Sequence, residues 1–512
     1  MFVTNRTNSM YPLSLLFGVI RPNFSLDTLE EFKMTQSVPS EDLAIDRKSR
    51  ALTVCDGIRL RPPDERIGDF DDVVIPFSED CAQMAASRCI HCPDPAGCVV
   101  ACPCHNDIPS AMWLIEQGEF LKAAELYRET SSLPEVCSRV CPHEQLCQGS
   151  CVLAKDEGAP VLTGMLEAYV MDYSREEKGY SIPTPEANGK KVAIIGAGPS
   201  GYGCAEQLLQ KGYQITIFEA KPAAGGLLTY GIPNFKLPKD IVFQSVKDFE
   251  EAGIKFVYNT MIGKDKTIGD LFSEGFDAVF IGVGTQVDAP LKAEGVDLPG
   301  VHLATEFLIR TNVNSAYLPK GLEPLTDLGK KVVVIGGGDT ASDALRSSLR
   351  LGAEEVTCLY RRTLREMPGG AKDREMTSEE GANFQFLTQP IKFIPGDDGR
   401  LAGVECLRME LGAPDDSGRR RPIKIDDSNF IVEADTAVLA LGYWPDETIS
   451  KSTPDLETHD WGLITADYKT GATSIPGVYA GGDAATGPDL VVTAMMAGRK
   501  AAASINEYIQ NK

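Results

Sequence analysis

Residues 190–201 read KKVAIIGAGPSG, and residues 330–343 read KKVVVIGGGDTASD. In each, an apolar run of strand length passes into a glycine turn and then into a helix. The turns are Gly196-x-Gly198-x-x-Gly201 and Gly336-x-Gly338-x-x-Ala341. A helix N-terminus offers unpaired N–H groups and partial positive charge to a pyrophosphate, and glycine lets the backbone come close to it. Second strands follow at 214–220 (QITIFEA) and 354–362 (EEVTCLYRR). Strands alternating with helices predict an α/β fold with parallel sheets, and two fingerprints predict two Rossmann-like domains.

The ends of the second strands separate the two nucleotides. The first ends in Glu219, where a carboxylate binds ribose hydroxyls and repels a 2′-phosphate. The other ends in Arg361-Arg362, whose guanidiniums suit the 2′-phosphate of NADPH. A third segment, Ala480-Gly481-Gly482-Asp483, then a helix expected from about Asp489, can carry a carboxylate to a ribityl chain and a positive helix end to a flavin ring. The first nucleotide is therefore expected to be FAD. Its domain is split, over 190–329 and 450–512, by an inserted NADPH domain at 330–449. Hydride and electron transfer would be borne by the cofactors, and no acid–base catalytic residue is expected.

Fourteen cysteines are present, and eleven of them fall between Cys55 and Cys151, which suggests metal rather than a disulfide scaffold. They form Cys89-x2-Cys92-x5-Cys98-x3-Cys102-Pro103 and Cys137-x3-Cys141-Pro142-x4-Cys147-x3-Cys151. Ferredoxin-like runs end in Cys-Pro, and their fourth cysteine can serve a second cluster. Two iron–sulfur clusters sharing ligands across the runs are the favoured reading. Zinc is the alternative, although only one C-x2-C pair and no H-x3-5-H pair occur. A redox C-x-x-C of the thioredoxin reductase type is not expected, since Cys204, Cys358 and Cys406 stand apart.

This cysteine-rich part, 59–185, is expected to be a helical domain, with Ser78 capping a short helix and further helices over about Ile108–Glu129 and Leu162–Glu177. Residues 181–189 (SIPTPEANG) read as a linker. Residues 1–58 form an extension. Its apolar stretch Tyr11–Ile20 is too short to span a bilayer, and Met34 is a second possible start. A net charge of −23 disfavours nucleic acid and anionic membranes as partners, and crowded cysteines read as metal ligands point to a reducing compartment, the cytoplasm.

From about Arg61 to the C-terminus the chain resembles the small (beta) subunit of NADPH-dependent glutamate synthase, and is similar to the N-terminal half of dihydropyrimidine dehydrogenase. The segments that carry this are RCIHC, CPCHNDIP, LPEVCSRVCPHEQLCQGSC, GLLTYGIPNFKLP, GGGDTASD, CLYRR, GRRRP and AGGDAATGPDLVVTAMMAGRKAA. The resemblance implies two [4Fe-4S] clusters. One would be held by Cys89, Cys92, Cys98 and Cys151, the other by Cys102, Cys141, Cys147 and Glu167, with Cys104 and Cys137 spare. It implies FAD contacts at Glu219, Gly226, Leu227, Lys236, Gly482 and Asp483, and NADPH contacts at Gly336, Gly337, Gly338, Asp339, Thr340, Arg361 and Arg362. It also implies a partner, a large FMN-bearing subunit that makes glutamate from glutamine and 2-oxoglutarate. The alternative partners are a dihydropyrimidine dehydrogenase-like subunit, a ferredoxin or another flavoenzyme. One departure stands out: five residues (PDPAG, 93–97) separate Cys92 from Cys98 where the family usually has four.

Overall fold

A computed structural model describes residues 45–512 except 56, 416 and 417. The Tyr11–Ile20 stretch and Met34 lie outside the described residues. The chain divides into two compact units. One runs to Pro290 and resumes over Leu303–Asp327 and Gly442–Lys512; the other comprises Leu291–His302 and Leu328–Leu441. The inserted unit thus begins at Leu291, ahead of residue 330, and closes at Leu441, ahead of residue 449. The cysteine-rich region belongs to the same unit as the first glycine fingerprint.

In that first unit the strand Lys191–Ile195 lies at the centre of a five-stranded parallel sheet. The order is Val478–Ala480, Ala278–Ile281, Lys191–Ile195, Gln214–Phe218, Lys255–Val257. Ala193 pairs with Thr216 on one side and Val279 on the other. Four of the five residues of Lys191–Ile195 are buried, the unbroken apolar pattern of a strand covered on both faces. Val478–Ala480 joins the sheet beside Ala278–Ile281, so sequence beyond the inserted unit completes the fold begun at residue 190.

The inserted unit repeats the plan, with strand order Val301–Leu303, Thr436–Leu439, Lys331–Ile335, Glu355–Tyr360, Asn383–Phe386. It also carries an antiparallel sheet that the sequence reading did not anticipate. There Leu401–Pro414 pairs with Thr388–Pro395, Arg420–Lys424 and Phe430–Glu433.

The cysteine-rich part is helical. Ser78 caps Glu79–Ser87 by accepting the Cys81 N–H at 3.4 Å. The single helix expected over Ile108–Glu129 is instead two, Ile108–Glu116 and Phe120–Thr130. The break is at Gly118, whose φ of +74° suits glycine. Its N–H donates to Ile115 O at 3.0 Å, and the Glu119 N–H donates to Leu114 O at 2.8 Å. That pair of bonds is a Schellman stop, which ends a helix whatever apolar periodicity continues beyond it. The later helix, Thr163–Glu177, starts one residue after the expected Leu162.

Candidate functional site: two nucleotide cradles and two thiol groups

Each Cys-Pro pair is built the same way. Cys102 ends the helix Gly97–Ala101 and Cys141 ends the helix Pro134–Val140, both with extended backbone. A residue before proline is driven out of the α region, so each cysteine leaves its helix at the proline. His91, at φ +46°, reverses the chain between Cys89 and Cys92. Of the PDPAG stretch, residues 93–96 form a loop and Gly97 opens the helix Gly97–Ala101.

The two runs interleave. Cys89, Cys92 and Cys98 of the first run and Cys151 of the second line one pocket of about 440 Å³, its open mouth included, walled by Ala96, Ile108, Met112 and Val161. Burial pushes the Cys89 thiol up to about 12, and Cys92 and Cys151 add to the rise. Burial raises Cys98 too, with Cys89 and Cys151 next in effect. Thiols so raised ionise only if a bound cation stabilises the thiolate.

A second group gathers deeper. Cys147 is pushed up to about 12, first by burial, with Cys102 and Glu167 contributing. Cys141 is raised by a hydrogen bond with Cys137, by burial, and then by charges that include Glu167 and Cys102. Cys102 is lowered by a hydrogen bond from Cys104. Glu167 is 7% exposed, not a surface glutamate; its Oε1 has no hydrogen-bond partner, and burial followed by Cys137 and Cys102 raises its carboxyl well above the ordinary value. An unpaired, buried carboxylate oxygen among thiols fits a place beside a metal cluster. Among the described residues no three or more His, Cys, Asp or Glu side chains converge as a single metal ion requires.

The first glycine turn is cramped in the way a dinucleotide cradle demands. A Cβ on Gly201 would sit 2.1 Å from Gly196 O, so the third glycine sets how closely helix and strand pack. Glu219 is buried, and its two oxygens accept the Ala197 and Lys221 N–H groups, each at 2.9 Å. That holds the carboxylate at the turn. Gly225 N–H donates to Ala197 O at 2.7 Å, and a Cβ on Gly226 would lie 3.0 Å from Gly198 Cα. Gly482 (φ +67°) stands against Ser200, whose hydroxyl donates to Gly481 O at 3.1 Å. Gly196, Gly198, Gly201, Glu219, Gly226, Gly482 and Asp483 therefore gather around one turn, outside the carboxyl ends of the parallel strands, where such sheets bind ligands. Burial pushes the Asp483 carboxyl up to about 7. Leu227, beside Gly226, is half exposed, and Lys236 sits in the turn after Pro233. Lys239, which sequence reading missed, ties that loop together by donating to Leu228 O, Ile232 O and Leu237 O at 2.9, 2.5 and 3.1 Å. Its only sequence signal was its place beside FKLP.

In the second cradle, a Cβ on Gly336 would meet Ala440 O at 2.1 Å and one on Gly337 would meet the Tyr360 ring at 2.7 Å, while Gly338 faces open space. Asp339 begins the helix Asp339–Arg350 and accepts the Gly370 N–H at 2.8 Å, and Thr340 follows in its first turn. Arg361 is exposed. Arg362 is buried, donates to Arg420 O at 2.8 Å and pairs with Asp415 at 3.3 Å. Burial and then Arg362 lower the Arg419 guanidinium, which places Arg419 in the same basic group. The motif GRRRP held that signal, but only the antiparallel sheet brings it to Arg362.

Known proteins match both the cysteine-rich part and the nucleotide-binding part. The family described as dihydropyrimidine dehydrogenase domain II, 4Fe-4S cluster, matches residues 66–179, and pyridine nucleotide-disulphide oxidoreductase matches 190–498. The glutamate synthase [NADPH] small chain of Escherichia coli K12 is 41% identical over 88% of this chain and 97% of its own length. The chain belongs to the glutamate synthase small-chain family. Another relative in the same bacterium, the putative oxidoreductase UacF, is 44% identical over 86% of this chain and 69% of its own length. Mycobacterium tuberculosis FprA in complex with NADPH shares the fold, with a TM-score of 0.53 and 23% identity over 63% of this chain and 85% of that one. As a member of the glutamate synthase small-chain family, the chain is a pyridine-nucleotide oxidoreductase with a 4Fe-4S cluster domain ahead of its nucleotide domains.

Proposed function

We propose that the chain is an electron-input subunit. It oxidises NADPH at FAD and relays electrons through two [4Fe-4S] clusters to a large FMN-bearing subunit of the glutamate synthase type. A flavin takes two electrons from a nicotinamide as hydride, and iron–sulfur clusters carry electrons one at a time.

The protein's own residues do the binding. The glycine turns and helix N-termini hold the pyrophosphates, and Glu219 holds a ribose. Arg361, supported by Arg362, selects the 2′-phosphate. Asp483 meets the ribityl chain. Cys89, Cys92, Cys98 and Cys151 hold one cluster, against the apolar Ala96, Ile108, Met112 and Val161, and Cys102, Cys141, Cys147 and Glu167 hold the other. The observation that supports this reading is the one pocket that Cys89, Cys92 and Cys98 of the first run share with Cys151 of the second, within the unit that bears the first fingerprint.

Among the described residues no cysteine is joined in a disulfide, which suits a reducing compartment, the cytoplasm. No described helix is long and apolar enough to cross a membrane. UacF supports a second reading that changes only the partner, since it shows the same core on a longer chain of another name. That partner would be a dihydropyrimidine dehydrogenase-like subunit or a ferredoxin. Anaerobic affinity purification of the native protein, with its companion identified by mass, tests the choice. A large FMN-containing subunit is expected; recovery with a ferredoxin, or with another flavoenzyme, contradicts the glutamate synthase assignment.

A further inference from the structure

Three consecutive backbone carbonyls of the first cysteine loop accept from arginines that lie ahead of residue 66, where the cluster-family match begins. Arg50 Nε donates to Cys89 O at 2.6 Å, Arg47 Nε to Ile90 O at 3.0 Å, and Arg47 Nη2 to His91 O at 3.0 Å. Both arginines belong to the short helix Arg47–Leu52, whose first turn is capped by Asp46. Arg50 is braced by Glu116, with Nη1 3.0 Å from Oε1, and lies 3.4 Å from His91 Nε2. Arg88, beside Cys89, donates to Thr53 O at 3.0 Å and to Pro160 O and Ala159 O at 2.9 and 2.7 Å. The segment is thus fastened at both ends to the loop that forms the four-thiol pocket.

We propose that the helix Arg47–Leu52 is a positioning clamp on that loop, raising the reduction potential of the cluster held by Cys89, Cys92, Cys98 and Cys151. The proposal rests on the cluster reading above. A cluster gains negative charge on reduction. A carbonyl oxygen facing it would oppose that gain, whereas an N–H or a nearby cation favours it. The peptide between Ile90 and His91 shows the consequence: Arg47 holds its carbonyl, and its His91 N–H bonds the Cys89 sulfur. Glu116 offsets part of the Arg50 charge, so carbonyl orientation and the Arg47 charge carry the effect.

The test uses full-length holoprotein, with EPR-monitored redox titration under anaerobic conditions. The R47Q/R50Q variant is expected to lower the midpoint of one cluster signal and leave the other in place. Glu116→Gln, which removes the offsetting charge but keeps the arginines, is expected to raise that same midpoint. Unmoved midpoints with wild-type iron and sulfide content overturn the clamp. If R47Q/R50Q loses the cluster, E116Q decides, and an unmoved or lowered midpoint there also overturns it. Wild-type protein lacking any iron–sulfur signal would defeat the cluster assignment itself, which is a different failure.

Discussion

Cys147 Sγ lies 3.0 Å from Thr163 Oγ1, which ties the second cysteine run to the helix that presents Glu167 one turn later. The i, i+4 spacing sets residues 163 and 167 on one face, so the contact also sets where the carboxylate stands. Helix and cysteine loop form one structure around the second group of donors.

Replacement of Glu167 should therefore act on one cluster alone. Glu167→Ala is expected to lower iron and acid-labile sulfide from the content of two clusters towards that of one. Glu167→Gln, which keeps an oxygen donor, should retain both. Metal analysis beside EPR reads the outcome, and full iron content in the alanine variant would remove Glu167 from the ligand set.

Arg361 is the exposed member of the basic group, and Arg362 is committed to Arg420 and Asp415. A charged hydrogen bond contributes roughly 1.5–3 kcal/mol. Arg361→Gln should thus lower kcat/KM for NADPH by about 10- to 150-fold while leaving that for NADH nearly unchanged. Equal losses with both nucleotides would mean that Arg361 does not read the 2′-phosphate.

Arg499 pairs with Glu206 at 3.1 Å, and it donates to Ser132 Oγ at 2.9 Å and Glu129 O at 3.0 Å, so it fastens the C-terminal helix both to the first-fingerprint helix and to the cysteine-rich part. Removing one partner of a buried pair leaves the other charged and unpaired, at a cost of about 3–5 kcal/mol. Arg499→Ala should destabilise the holoprotein by that order in urea unfolding. A change below about 1 kcal/mol would show that the pair is solvated in solution.

Burial holds Asp483 at about 7, above the unfolded value of about 3.9. A carboxyl raised on folding favours the folded state while protonated and opposes it once charged. In FAD-free protein its cost should thus emerge as pH rises from about 4 to 7 and be complete above that. Thermal unfolding of wild type against Asp483→Asn should show the variant gaining relative stability between pH 5 and 8. Parallel profiles would mean an ordinary, solvated Asp483.

Both glycine turns were legible because each is a local requirement: strand, tight turn and helix are contiguous, and the acid or arginine pair falls at a set distance. The Cys-Pro helix ends at Cys102 and Cys141 were legible for the same reason, since a proline acts on the residue just before it. Elements that depend on distant sequence were not. The antiparallel sheet over 388–433 carries no strand–helix alternation, and Leu291–His302 joins the inserted unit through pairings with residues far beyond it. The helix break at Gly118 hid inside a continuing apolar pattern. Gly498 is a further case: a Cβ there would lie 1.9 Å from Ser200 O, a close approach of helices almost 300 positions apart that no local motif announces.

Anaerobic addition of NADPH to FAD- and iron-loaded protein, followed by freezing and EPR, addresses the relay most directly. The account predicts that flavin absorbance falls and reduced iron–sulfur signals rise without any other reductant. Flavin reduction with silent clusters, or protein that holds zinc and no acid-labile sulfide, would contradict it.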